Sequence, residues 1–267
     1  MRIALSQLTT GSDPEKNLRL VAEWTSRAAG AGARIVVFPE ASMACFGTPL
    51  ADVAEPLDGP WADAVRDIAE AAGVVVVAGM FTPASGGRVT NTLLATGPGV
   101  DAAYDKIHLY DAFGYAESQT VAAGSRIVTI DVDGVRLGLA TCYDVRFPEL
   151  FRAHADAGAV GTLLSASWGA GSGKLDQWEL LVRARALDAT VWVAAVDQAD
   201  PAAAGVVVGG TAPTGIGHSR VVGPDGTVRH RLDAEPGLLV ADLNVAEVAA
   251  VREKTSVLAN RRPELLR

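Results

Sequence analysis

Apolar runs alternate with stretches whose apolar positions recur at helical spacing, and this alternation predicts most of the elements. Residues 3–8 read as a strand, residues 14–29 as an amphipathic helix capped by Ser12 or Asp13 and followed by Gly30-Ala31-Gly32, and residues 34–38 as a second strand ending at Pro39-Glu40. Residues 61–72 are helical by periodicity and closed by Gly73, and residues 74–79 form a continuous β-branched run. A β-α-β-α-β order is therefore in place early in the chain.

Residues 91–95 and 100–104, split by Thr96-Gly97-Pro98-Gly99, predict a hairpin, so the sheet is not purely parallel. Residues 105–124 are polar and aromatic without a clean period and read as a long functional loop. A second hairpin pairs residues 127–131 with 135–140 about Asp133-Gly134. The alternation then resumes with a helix at 148–157, a strand at 161–165, a helix at 176–188 and a strand at 191–196. Late strands at 215–226 and 228–243 flank the turn Gly223-Pro224-Asp225-Gly226, and a last helix covers 245–252. No Pro-, Ser- or charge-rich linker divides the chain, which predicts one α/β domain over residues 1–267, with mixed sheets covered by helices.

Composition narrows the class. With 267 residues, 49% of them hydrophobic and 20% charged, the chain has enough apolar material for a large core. Its net charge of -8 and the lack of any Lys/Arg run argue against a nucleic-acid partner. The apolar run at the N-terminus is too short for a signal peptide and no later stretch has the length of a membrane span, so a cytoplasmic protein without a membrane partner is expected. The two cysteines, Cys45 and Cys142, are far apart and outside any C-x-x-C, which predicts neither a disulfide nor a metal site.

The chemistry-bearing residues sit where strands end. Cys142 follows the run 135–140 and precedes Pro148-Glu149, a helix start whose N–H groups and positive potential are expected to stabilise a thiolate. Glu40 follows strand 34–38 and Lys106 follows Ala102-Ala103-Tyr104. A thiol, a carboxylate and an ammonium at the carboxyl ends of strands form a set suited to acyl transfer. Taken singly, Cys142 also reads as a small buried hydrophobe and the two ions as surface groups. Cys45, in Met43-Ala44-Cys45-Phe46, has neither base nor cation beside it. The segment Gly169-Ala170-Gly171-Ser172-Gly173-Lys174 lacks the spacing of a phosphate-binding loop, and Leu175 stands where such a loop needs Ser or Thr.

Three stretches together, Phe38-Pro39-Glu40, Asp105-Lys106-Ile107-His108-Leu109 and Cys142-Tyr143-Asp144-Val145-Arg146-Phe147-Pro148-Glu149-Leu150, resemble the ordered signatures of the nitrilase superfamily. The stretch from Cys142 to Leu150 looks most like the Nit, or omega-amidase, branch. The resemblance implies a four-layer alpha-beta-beta-alpha sandwich with two mixed sheets, a homodimer or higher homo-oligomer, and no metal or organic cofactor. It also implies a carbon-nitrogen hydrolase acting on a small-molecule amide through a cysteine thioester. In that scheme Cys142 is the nucleophile, Glu40 the acid/base, and Lys106 with the Tyr143 N–H the oxyanion donors. Glu117 matches a fourth active-site position. Arg146 matches a position that binds a substrate carboxylate, its alternative being a helix-start ion pair with Glu149. Trp168 and Lys174 are further candidates for the substrate pocket. The segment Ser165-Ala166-Ser167-Trp168-Gly169-Ala170 departs from the branch pattern, which leaves N-carbamoyl amino acid hydrolase, nitrilase and non-catalytic binding member as alternatives.

Overall fold

A computed structural model describes residues 1–206, 212–262 and 264 of the chain. The first part comprises β1 (Arg2–Gln7), α1 (Pro14–Gly30), β2 (Ile35–Val37), α2 (Leu50–Val53), α3 (Pro60–Ala72), β3 (Val75–Pro83), β4 (Val89–Gly97) and β5 (Val100–Asp105). Three two-residue strands follow, β6 (Asp111–Ala112), β7 (Tyr115–Ala116) and β8 (Val121–Ala122). The rest comprises β9 (Thr129–Val132), β10 (Val135–Thr141), α4 (Pro148–Asp156), β11 (Gly161–Ala166), α5 (Lys174–Ala189) and β12 (Trp192–Asp197). It closes with β13 (Arg220–Val222), β14 (Val228–Arg231), β15 (Gly237–Asp242) and α6 (Val245–Thr255).

Two mixed sheets result. One runs β15-β1-β2-β3-β4-β5 with β8 beside β4, the other β14-β13-β12-β11-β10-β9. Each has three parallel strands at its centre, β1-β2-β3 and β10-β11-β12, flanked by antiparallel strands, while the short β8 pairs parallel with β4.

The two-residue period of a strand sorts its side chains to opposite faces. Ile3, Leu5, Ile35, Val37, Val75 and Val77 pack in one core with Leu137, Leu139 and Leu163 of the second sheet. The alternate residues Ala4, Val36, Val76 and Ala78 pack instead with Val21 and Trp24 of α1 and Trp61 and Val65 of α3. On the far face of the second sheet, Thr162 of β11 hydrogen-bonds His154 of α4, and Gly138 of β10 lies directly beneath the same ring. The layers are thus helices, sheet, sheet, helices, the expected alpha-beta-beta-alpha sandwich.

Several boundaries differ from the sequence reading. Strand β3 runs on to Pro83 and pairs antiparallel with β4, a hairpin the apolar run 74–79 did not reveal. The stretch 105–124 is not all loop: it holds β6, β7, β8 and a single 3-10 turn at Glu117–Gln119, all too short to carry a period. The span 215–226 keeps only β13 as strand, and 228–243 divides between the sheets, β14 joining the second and β15 the first. The break falls at Asp233 to Pro236, where the backbone carbonyls of Asp233 and Glu235 accept from the Gln7 side-chain amide at 2.7 and 2.5 Å. Proline removes one ladder donor there.

A methyl group at Gly138 would run into the buried His154 ring. Gly138→Ala is expected to lower stability by about 1–3 kcal/mol, read as a lower denaturant midpoint at unchanged slope. An unchanged midpoint would show that the ring swings aside freely.

Candidate active site

Glu40 is placed by a sharp turn at the end of β2. Its side chain is fully buried, and the next residue, Ala41, has φ +59, a left-handed value uncommon outside glycine. Gly79 of β3 makes room for that turn, since a Cβ there would lie 2.7 Å from the Ala41 nitrogen. Two side chains from the other sheet hold the turn: Ser165 Oγ donates to the Phe38 carbonyl at 2.7 Å, and Gln198 Nε2 to the Glu40 carbonyl at 2.9 Å.

Lys106 emerges from the end of β5 into the same buried space. Its Nζ lies 2.9 Å from Glu40 Oε1, 2.8 Å from Glu117 Oε2 and 3.1 Å from Glu117 Oε1. Glu117 is fixed further by the Tyr110 N–H at 2.7 Å. Burial alone would lower the proton affinity of Lys106, but Glu117 and then Glu40 outweigh it and hold the ammonium charged far beyond its ordinary range. Asn91 of β4 donates one amide group to both carboxylates, 2.7 Å to Glu40 and 3.2 Å to Glu117. Sequence reasoning missed Asn91; the available signal was an amide side chain, flanked by Thr90 and Thr92, at the start of the strand read over 91–95.

Cys142 caps β10 and opens a single 3-10 turn, Cys142–Arg146, with φ +46 at the cysteine itself. Such strained conformations persist only where the surroundings over-determine them. Asp144 does this. It accepts from Thr141 N at 2.8 Å, Tyr104 OH at 2.6 Å and His108 N at 3.1 Å, and its carboxylate meets His108 Nδ1 at 2.7 Å. The His108 ring stacks on Phe147 with centroids 3.7 Å apart. The cysteine turn is thereby fastened to the chain around Lys106.

The thiol donates toward the Ser167 carbonyl at 3.8 Å, while the N–H of the same residue donates to Glu40 Oε2 at 2.9 Å. Burial, and after it the Glu40 charge, pushes the Cys142 thiol well above its usual range, with Lys106 opposing. The expected helix-stabilised thiolate is therefore corrected. Helix α4 begins only at Pro148, and the group that bears on the sulfur is a buried carboxylate. Burial likewise raises Glu40, Lys106 opposing it. The thiol and the Glu40 carboxyl thus share one buried space, each with its proton affinity raised.

All four predicted pocket residues, Tyr143, Arg146, Trp168 and Lys174, line one narrow cavity with Cys142, together with Tyr110 and Pro213. Arg146 donates to Gln177 Oε1 at 2.7 Å and lies 5.2 Å from the Trp168 ring and 5.6 Å from that of Tyr143; Glu149 is not its partner. Lys174 Nζ donates to Tyr110 OH at 3.2 Å and sits 3.3 Å from the centre of the Phe113 ring. Burial and the nearby Arg146 lower the proton affinity of Lys174. Cys45 stands apart, 3.8 Å from Thr48 Oγ1. Among the described residues no group of three His, Cys, Asp or Glu side chains is placed to hold a metal ion, and no helix is long and apolar enough to cross a membrane.

Comparison with known proteins agrees with this geometry. A hydrolase of Mycobacterium tuberculosis H37Rv is 56% identical over 97% of this chain and 95% of its own length. The deaminated glutathione amidase of Escherichia coli O157:H7 is 34% identical over 100% of both chains. An amidase from Nesterenkonia sp. superposes with a TM-score of 0.82 at 28% identity, covering 99% of this chain and 94% of that one. A variant of that amidase carries the acetamide moiety of fluoroacetamide added covalently at its active-site cysteine. Residues 2–253 match the model of the carbon-nitrogen hydrolases, and the chain belongs to that family, within the nitrilase superfamily.

Proposed function

We propose that the protein is an amidase that hydrolyses a small linear amide bearing a carboxylate, of the omega-amide type, to a dicarboxylate and ammonia. One observation carries the substrate class: in a chain of net charge -8, two cations, Arg146 and Lys174, line the cavity that holds Cys142. Among the described residues neither is neutralised by an acid, their polar partners being Gln177 and Tyr110. A substrate carboxylate supplies the missing charge.

Attack and proton transfer go together. The Cys142 proton passes to Glu40 as sulfur bonds to the amide carbon, and the carbonyl oxygen becomes an oxyanion facing Lys106 Nζ and the Tyr143 N–H. The proton on Glu40 then goes to the amide nitrogen as the C–N bond breaks, leaving a thioester and free ammonia. Water replaces ammonia and gives Glu40 a proton; its hydroxide adds to the thioester, the C–S bond breaks, and sulfur recovers the proton. Glu117 keeps Lys106 charged and in place throughout. The reading includes one catalytic domain, a cytoplasmic homo-oligomer, and no metal or organic cofactor. Support comes from the buried Glu40-Lys106-Glu117 cluster and from the cysteine adduct of the Nesterenkonia amidase.

Ammonia release measured over a panel of carboxylate-bearing amides, neutral amides, carbamoyl amino acids and nitriles is expected to favour the first group. Cys142→Ala should reduce turnover by about 10⁴-fold or more. Intact-mass spectrometry with a slow substrate should place the acyl group on Cys142; an adduct on Cys45, or turnover surviving Cys142→Ala, refutes the mechanism.

Arg146→Gln and Lys174→Gln should each raise KM for a carboxylate-bearing amide by about 10–100-fold, the range for losing a desolvated charge contact, and leave a neutral amide within about twofold. Equal effects on both substrates would remove the carboxylate assignment.

The pH profile follows from Glu40. Its base form is required, and burial raises its proton affinity, so kcat/KM should fall as pH drops through a value above the ordinary glutamate range of about 4.3. Glu40→Gln should cost about 10²–10⁴-fold in kcat. An acid limb at or below the ordinary glutamate value would overturn the assignment.

A further inference from the structure

Strand β12 ends at Asp197, a fully buried carboxylate that the acyl-transfer steps leave unused. Its two oxygens reach into different loops: Oδ1 accepts from the Trp168 N–H at 2.7 Å and Oδ2 from the Ile216 N–H at 2.9 Å. Backbone dipoles hold this carboxylate in place of a cation. Burying a carboxylate without a cation is costly, and an amide of the same shape would place its NH₂ against one of the two N–H groups. The two-acceptor geometry therefore needs the acid itself.

The joined loops form the wall of the cavity over the thiol. They also bond each other directly, Ser167 Oγ to the Pro213 carbonyl at 2.8 Å and Gly215 N to the Trp168 carbonyl at 3.1 Å. Ser167, the residue before the clamped Trp168, is the one whose N–H meets Glu40 and whose carbonyl meets Cys142. We propose that Asp197 is a positioning residue for the reaction: by holding the Trp168 and Ile216 N–H groups it fixes Ser167, and through Ser167 the alignment of Glu40 with Cys142.

The electrostatics run alongside the geometry. Burial pushes Asp197 up to about 8, the two N–H bonds opposing and Glu40 adding to the rise. Asp197 in turn adds to the rise at Cys142. Glu40 and Cys142 are the titratable groups coupled to it, Lys106 is the cation of the cluster, and the clamped loops contribute the Trp168 and Ile216 N–H groups and the Ser219 hydroxyl, which accepts from the Asp197 N–H at 3.0 Å. The free thiol is itself pushed well above its ordinary range, so its alkylation is read across a pH range in which Asp197 comes to carry its charge.

This inference rests on Cys142 as nucleophile and Glu40 as base. The test compares wild type with Asp197→Asn, and with Asp197→Ser as a second charge-removing variant, following iodoacetamide alkylation of Cys142 by peptide mass across pH alongside steady-state kinetics. Loss of alignment should lower kcat about tenfold or more with KM within about threefold. Removal of the buried charge should move the alkylation profile to lower pH, a change that weakened folding does not produce. Wild-type kcat or an unmoved profile in the variants would overturn the positioning role, as would failure of both to fold, which would reduce Asp197 to a requirement of the fold. Absence of Cys142 alkylation in the wild type would instead strike at the nucleophile reading.

Discussion

A single ammonium held between two carboxylates, all three out of water, is the interaction on which the site depends. Removing such ions from water costs several kcal/mol each, and Lys106 is tolerated because Glu40 and Glu117 both reach it within hydrogen-bond distance. The charges do not cancel. Two carboxylates face one cation, and burial first, then the surplus negative charge, raises the proton affinity of Glu40 and of the thiol. Glu40 stays a stronger base than a solvated glutamate, and the thiol beside it stays protonated. On the proposed mechanism, substrate therefore meets an acid and its base already in contact. The thiolate would form as the new bond forms, and a resting sulfur in this state is a poor target for stray electrophiles.

The sandwich makes this cluster possible by bringing strand ends from two sheets to one place. Glu40 follows β2 and Lys106 follows β5, both of the first sheet, while Cys142 follows β10, Ser167 follows β11 and Asp197 ends β12, all of the second. Contacts across the sheets hold the halves in register: Ser165 to the Phe38 carbonyl, Gln198 to the Glu40 carbonyl, and Ser167 to the Glu40 carboxylate. The proposed base and nucleophile thus belong to different sheets, and any slip between the two layers separates them. Side chains in the intersheet core are close-packed, so such a slip is resisted by the whole layer.

Much of this was legible because strand ends are easy to find. Pro39-Glu40 follows an apolar run directly, Lys106 and Cys142 follow theirs after one polar residue, and the two-residue and 3.6-residue periods separated strands from helices along most of the chain. What escaped the sequence has physical reasons. Asn91 stands between Thr90 and Thr92, and Asp197 ends β12 just before Gln198, so each reads as an ordinary polar position near a strand end until its partners, Glu40 and Glu117 for one and two backbone N–H groups for the other, are brought near by tertiary folding. The split of 228–243 between sheets depends on Gln7 capturing two carbonyls from the far end of the chain, which no local window contains. The resting thiol was misjudged for a related cause. Sequence adjacency pointed to the helix at Pro148, whereas burial beside Glu40 decides the outcome.

The pocket as a whole is polarised, and that polarity bears on how an amide would lie in it. Acidic groups gather beneath the sulfur, while Arg146 and Lys174 line the cavity against the rings of Trp168, Tyr143 and Phe113. The two cations repel, and this adds to burial in lowering the proton affinity of Lys174. On the proposed reading, a substrate carboxylate relieves this repulsion at one end and would be repelled by Glu40 and Glu117 at the other. The amide is then the end left to face Cys142. Charge separation within the cavity orients the substrate before any contact at the reacting carbon, which is where binding energy serves an acyl transfer best.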